Sequence, residues 1–104
     1  MLVKRAKEYI GEHYMEDISL GDIAEILGIS VGYLSTLFNK ELQSSFNDYV
    51  NGIRIERACC YLDQNYFKTY EIAYKVGFRD EKYFSKVFKK IKGITPKEYR
   101  NSIK

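Results

Sequence analysis

Apolar residues recur at helical spacing along nearly the whole chain. Leu20, Ile23, Ala24 and Leu27 fall at i, i+3, i+4 and i+7, which is one face of a helix. Ser19 stands just before this stripe, where an N-cap belongs, and Gly28 just after it, where a left-handed residue ends a helix at no steric cost. Ser30 is then placed to cap a second helix with Leu34, Leu37 and Phe38 as its buried stripe. Residues 2–14 form an amphipathic opening helix that turns Leu2, Ala6, Tyr9, Ile10 and His13 toward the core. Residues 45–63 read as a long connecting helix, with Ser45 as N-cap and Asp48 at N3. Gly52 lies inside it at a cost of up to about 1 kcal/mol against alanine, which marks either close packing or local give. Farther on, Ile72, Ala73 and Val76 lead to Gly77, and Phe84, Val87, Phe88 and Ile91 bury the helix that follows. Gly93 stops that helix. Thr95-Pro96-Lys97-Glu98 opens a last short one with Thr as N-cap, Pro at N1 and Glu at N3, anchored by Tyr99. The pattern predicts an all-α chain.

One unit is used twice. Asp22-Ile23-Ala24-Glu25-Ile26-Leu27-Gly28-Ile29 matches Glu71-Ile72-Ala73-Tyr74-Lys75-Val76-Gly77-Phe78 at an offset of 49, as acid-Ile-Ala-x-x-aliphatic-Gly-apolar. Tyr33-Leu34-Ser35-Thr36-Leu37-Phe38-Asn39-Lys40 then matches Tyr83-Phe84-Ser85-Lys86-Val87-Phe88-Lys89-Lys90 at an offset of 50, so the second copy carries one extra residue just after the turn. Ser45, Asp48 and Tyr49 correspond to Thr95, Glu98 and Tyr99. Each copy is a short helix, a tight turn containing glycine, and a second helix presented outward: the grammar of a helix-turn-helix. Gln43 stands where the second copy has Gly93, so the first copy's second helix ends without a left-handed glycine or runs on a little further.

Composition narrows the functions. The 104 residues suffice for one compact domain, or two very small ones sharing a core, and 45% hydrophobic content supports a packed interior. One proline and seven glycines favour helices over a turn-rich sandwich. No apolar run is long enough for a membrane span, and Met1-Leu2-Val3-Lys4-Arg5 turns polar too soon for a signal peptide. Cys59 and Cys60 are neighbours, pointing about 100° apart on a helix, so a mutual bridge is geometrically poor. Free thiols fit a reducing cytoplasm, with redox sensing as the minor alternative. His13 is the single histidine, and no acids or thiols gather at ligand spacing, so no metal is expected. With no nucleophile–base pair and no phosphate-cradling loop, an enzyme or a cofactor protein is a poor reading. The aromatics fall on buried stripes instead of forming a stacking platform, which argues against an RNA-binding module.

Net charge is only +3, but it is unevenly spread. Residues 1–48 hold four Lys/Arg against eight Asp/Glu, a net of −4; residues 49–104 hold thirteen against six, a net of +7. A basic C-terminal half reads as the phosphate-facing half, and equally as a solvated helical surface if charge is taken alone.

Gly77-Phe78, Tyr83-Phe84-Ser85-Lys86-Val87-Phe88-Lys89-Lys90, Gly93-Ile94-Thr95-Pro96 and Tyr99-Arg100 together resemble the signature of AraC/XylS-type transcription regulators. The resemblance runs from the opening helix to Arg100 and looks most like the versions attached to bacterial two-component response regulators. It implies seven helices in two helix-turn-helix subdomains, residues 1–44 and 65–104, joined by a linker helix over 45–64. It also implies transcription control, with RNA polymerase and an N-terminal sensing or receiver domain, absent from this chain, as partners of a cytoplasmic protein that binds double-stranded DNA. The chain is then a C-terminal fragment, or else a stand-alone regulator.

Removing the buried stripes leaves the groove-facing residues. In the first unit these are Gly32, Tyr33, Ser35, Thr36, Asn39 and Lys40; by resemblance, Gly32, Ser35 and Thr36 fall where the family reads bases. Thr36 suits a thymine methyl and Ser35 either base type, but neither offers a bidentate pair. In the second unit the set is Asp80, Glu81, Lys82, Tyr83, Ser85, Lys86, Lys89 and Lys90, of which Glu81, Lys82, Ser85 and Lys86 match family positions near bases. Lys82 or Lys86 suits guanine O6/N7 and Glu81 suits cytosine N4. Arg79, Lys89, Lys90, Lys97 and Arg100 suit phosphates, which set register without reading sequence. Tyr33 and Tyr83 read equally well as half-buried packing residues, and Asn39 as merely solvated. The acidic first unit keeps an alternative open: a helical protein-interaction module contacting RNA polymerase or a partner domain.

Overall fold

The computed structural model describes residues 2–102. Over them it has seven helices: α1 Leu2–His13, α2 Leu20–Leu27, α3 Val31–Leu42, α4 Phe46–Gln64, α5 Thr69–Lys75, α6 Glu81–Lys92 and α7 Pro96–Ser102. No single helix is long and apolar enough to cross a membrane. Contacts divide the chain after Val50 into two units, so α4 starts in the first and continues in the second.

In the first unit α1, α2 and α3 close over Val3, Ala6, Ile10, Ile23, Ala24, Leu34 and Phe38. The opening helix is rotated slightly from the expected face. Val3, Ala6 and Ile10 are buried, whereas Leu2, Tyr9 and His13 are half-exposed. His13 stacks on Tyr9 at 4.3 Å and its Nδ1 lies 2.8 Å from Glu16. Ser19 Oγ accepts from the Asp22 N–H and Ser30 Oγ from the Tyr33 N–H, so both expected caps are in place. Phe38 meets Phe46 and Tyr49 edge-on at 5.9 and 5.4 Å, which seats the first turn of α4. That turn is capped by Ser45 Oγ, which accepts from the Asp48 N–H.

The second unit repeats the local bonding. At the first turn the Ile29 N–H donates to Ala24 O at 3.0 Å and the Gly28 N–H to Glu25 O at 3.2 Å. At the second the Phe78 N–H donates to Ala73 O at 2.9 Å and the Gly77 N–H to Tyr74 O at 3.2 Å. This is the same helix-closing motif, 49 positions on. The extra residue is Arg79: α3 starts three positions after Gly28 and α6 four after Gly77. Burial then runs through a row of rings, Phe78–Phe84 at 5.3 Å, Phe84–Phe88 at 5.8 Å and Phe88–Tyr99 at 5.7 Å. Ile91, expected in this stripe, is 43% exposed. α7 brings Tyr99 down on Phe88.

α7 is held by the expected reciprocal cap. The Thr95 N–H donates to Glu98 Oε1 and the Glu98 N–H to Thr95 Oγ1, at 2.9 and 3.1 Å. The bonds from Thr95 hold the Glu98 carboxyl below its ordinary range. The Tyr99 hydroxyl donates to Asp63 Oδ1 of α4 at 3.1 Å. Burial first, then the neighbouring Cys59 and Asp63, push that hydroxyl up to about 12, so it remains a donor well above neutral pH. Burial also raises the Cys59 thiol, while Cys60 beside it is exposed; both are free.

Two backbone positions resolve what the sequence left open. Gln43 ends α3 in the left-handed region, φ 52° and ψ 38°, doing without glycine what Gly93 does at φ 83°. Gly52 has nothing within 4 Å of where a Cβ would stand, so close packing does not require it. Gln43→Gly and Gly52→Ala are each expected to raise stability, by about 0.5–1 kcal/mol. Urea unfolding measures both, and a fall for either contradicts the local reading.

Candidate nucleic-acid interface

Burial decides what each second helix presents. In α3, Leu34 and Phe38 are buried and Leu37 is partly so; Gly32, Tyr33, Thr36, Asn39 and Lys40 are exposed, with Ser35 half-exposed. Two of these side chains are already engaged with their own helix. The Thr36 hydroxyl donates to Gly32 O at 3.0 Å and Asn39 Nδ2 to Ser35 O at 2.9 Å. Thr36 therefore offers its methyl group and an acceptor lone pair, and Lys40 is the one cation among the six candidates.

α6 carries a different surface on the same frame. Phe84, Val87 and Phe88 are buried, while Glu81, Lys82, Tyr83, Lys86, Lys89 and Lys90 are exposed and Ser85 half-exposed. Lys82, Lys86 and Lys90 lie at i, i+4 and i+8, one line along the helix. Like charges at that spacing repel by about 0.2–0.5 kcal/mol per pair. None of the three makes an ion pair among the described residues. By contrast Lys92, on the other side, bonds Glu56 Oε2 of α4 at 2.6 Å, and that bond raises its titration point. A row of close, unneutralised ammonium groups on a rigid helix is a surface suited to a polyanion.

Not every candidate has the role expected. Asp80 is the N-cap of α6: its Oδ1 accepts from the Tyr83 N–H at 2.7 Å. Tyr83 packs on Phe78 at 5.9 Å and its hydroxyl accepts from Asn51 Nδ2 at 3.3 Å, yet the side chain remains 45% exposed. Arg79, Lys89 and Lys97 are exposed. Arg100 departs from the phosphate expectation: Nη1 donates to Asn65 Oδ1 at 3.0 Å and Nη2 to Phe67 O at 2.7 Å, so its guanidinium ties α7 to the segment after α4. Asn51, the buried polar side chain behind α6, was not singled out by the sequence pattern. A polar residue at an otherwise apolar helix position was its one signal. Among the described residues no group of three or more His, Cys, Asp or Glu is placed to hold a metal ion.

The comparisons agree with this geometry. A family described as a helix-turn-helix domain matches residues 23–102. The chain is 36% identical over 99 residues to the uncharacterized HTH-type transcriptional regulator YijO of Escherichia coli K12, covering 95% of this chain and 35% of YijO. It therefore spans about a third of that relative's length. The C-terminal domain of AraT, a response regulator from Geobacillus stearothermophilus, has a TM-score of 0.92 at 38% identity, covering 97% of this chain and 84% of that one. A transcriptional regulator of Chromobacterium violaceum, described as containing an AraC-type DNA-binding domain, has a TM-score of 0.91 at 27% identity, covering 98% and 91%.

Asp80→Ala is expected to lower stability by about 1 kcal/mol, with Asp80→Ser recovering most of the loss. Thermal or urea unfolding checks this. An unchanged midpoint for the alanine variant contradicts the capping role.

Proposed function

The chain belongs to the AraC-type family of helix-turn-helix domains, and from that premise we propose that it binds double-stranded DNA sequence-specifically to regulate bacterial transcription. The observation that carries the reading is the Lys82–Lys86–Lys90 row, exposed on the helix whose Phe84, Val87 and Phe88 are buried. Lys82 and Lys86, nearer the start of the helix, reach guanine edges; Glu81 accepts from cytosine; Ser85 supplements them. Lys89 and Lys90, with Arg79 and Lys97, meet phosphates and fix the register. Asp80 serves by capping the helix that carries these groups. In the first unit Gly32, Ser35 and Thr36 lie closest to the bases, Lys40 and Tyr33 toward the backbone, and Asn39 at the margin.

The nineteen residues of α4 amount to a rod of about 28 Å, against a groove repeat of roughly 34 Å. That length supports adjacent major grooves on one face of the duplex. Two non-identical units in tandem favour an asymmetric site over a palindrome. The subdivision 1–44, 45–64 and 65–104 follows these roles. The likeness to the C-terminal domain of a response regulator supports a sensing or receiver domain N-terminal to this one; RNA polymerase as a further partner and a cytoplasmic location follow from the proposed role in transcription. The reading is of a binding domain that uses no cofactor.

The second unit supplies most of the affinity and the first contributes shape and weak readout. Lys86→Ala should cost roughly 1–3 kcal/mol of binding and blur preference at one base, whereas Thr36→Ala costs less. Gel-shift titrations at several salt concentrations check both points. Affinity should fall steeply with salt as counterions are released. Equal losses from the two variants contradict the asymmetry, and salt-insensitive or absent duplex binding contradicts the function.

A further inference from the structure

Asn51 lies on α4 and is 6% exposed, the one buried polar side chain among the described residues. A buried amide there has a desolvation cost that leucine, of nearly the same shape, avoids. Its Nδ2 donates to the Tyr83 hydroxyl oxygen at 3.3 Å. Tyr83 is fixed at two further points, its N–H on Asp80 Oδ1 and its ring against Phe78. A tyrosine hydroxyl has one hydrogen to donate and lone pairs to accept with. With a lone pair engaged by Asn51, the hydroxyl hydrogen is left for an acceptor on the exposed side, one helical turn from Lys86. Tyr33 holds the matching place in the first unit, but its hydroxyl has no such partner among the described residues.

Resting on the DNA reading above, we propose that Asn51 is a positioning residue that presets the Tyr83 hydroxyl as a hydrogen-bond donor to a phosphodiester oxygen at the start of α6. Asn51 touches no DNA itself. It orients the donor before DNA arrives, so that ordering the phenol costs little on binding. The contact is independent of sequence, and it belongs to the second unit alone.

A double-mutant cycle on DNA affinity tests this. The wild-type chain, Tyr83→Phe, Asn51→Leu and the double variant are titrated onto about three helical turns of mixed-sequence duplex, between about 50 and 200 mM salt. Urea unfolding of each runs alongside. Tyr83→Phe should weaken binding about tenfold, the usual worth of a hydrogen bond to a charged acceptor. Asn51→Leu should lose a similar factor, and the double variant no more than either. The slope of affinity against salt should not change, because a hydroxyl releases no counterion, whereas Lys90→Ala, at a residue assigned above to phosphate, lowers it by about 1. A Tyr83→Phe variant that binds like wild type, or losses that multiply independently, overturns the proposal. If Asn51→Leu does not fold, Asn51→Ala completes the cycle. A wild-type chain that ignores duplex defeats the DNA reading itself, a result distinct from a wild type that binds while Tyr83→Phe is silent.

Discussion

Burying Phe84, Val87 and Phe88 leaves α6 no freedom about its own axis. A helix turns once in about 3.6 residues, so a stripe pinned on one side fixes which residues stand on the other. Rotating the helix enough to hide Lys82 or Lys86 would expose a phenylalanine, at a cost of about 1.5–3 kcal/mol per ring. The row of rings from Phe78 to Tyr99 is therefore what aims the lysines. The Asp80 cap and the Gly93 stop set where the aimed surface begins and ends. α4 and α7 reinforce that orientation: Tyr99 and Arg100 bond to Asp63, Asn65 and the Phe67 carbonyl, and Lys92 bonds Glu56.

The two copies show how one frame carries two chemistries. Their turns share the same pair of backbone hydrogen bonds, and both second helices start from a capping side chain. The outward residues diverge: Gly32 and Thr36 in α3 stand against Lys82 and Lys86 in α6, while Ser35 and Ser85 are the same in both. On the proposed function, the small, nearly neutral face follows groove shape and methyl groups, and the lysine-rich face supplies attraction that depends on salt. One domain would thereby separate affinity from part of its discrimination without needing two folds.

Much of this was legible in the sequence because it depends on local rules. Ser19, Ser30, Ser45 and Thr95 cap where their spacing before an apolar stripe says they should, and the repeat located both turns to the residue. Long-range packing was less legible. Ile91 fits the stripe by period, yet it stays 43% exposed. Arg100 looks like a surface cation, but its carbonyl and amide partners come from the loop after α4, some 35 positions earlier. Asn51 gave little sign, because its partner Tyr83 is 32 residues away. Gln43 shows that a left-handed helix end does not need glycine when the rest of the turn fixes it.

On the proposed function, the outward faces of α3 and α6 read two stretches of one duplex. Selection of bound sequences from a random duplex pool tests it most directly. The account predicts an asymmetric consensus in two segments, centred about one helical turn apart, or roughly 10.5 base pairs, with the sharper segment belonging to the lysine-bearing helix. A single short segment, a palindrome, or no enrichment at all would contradict it.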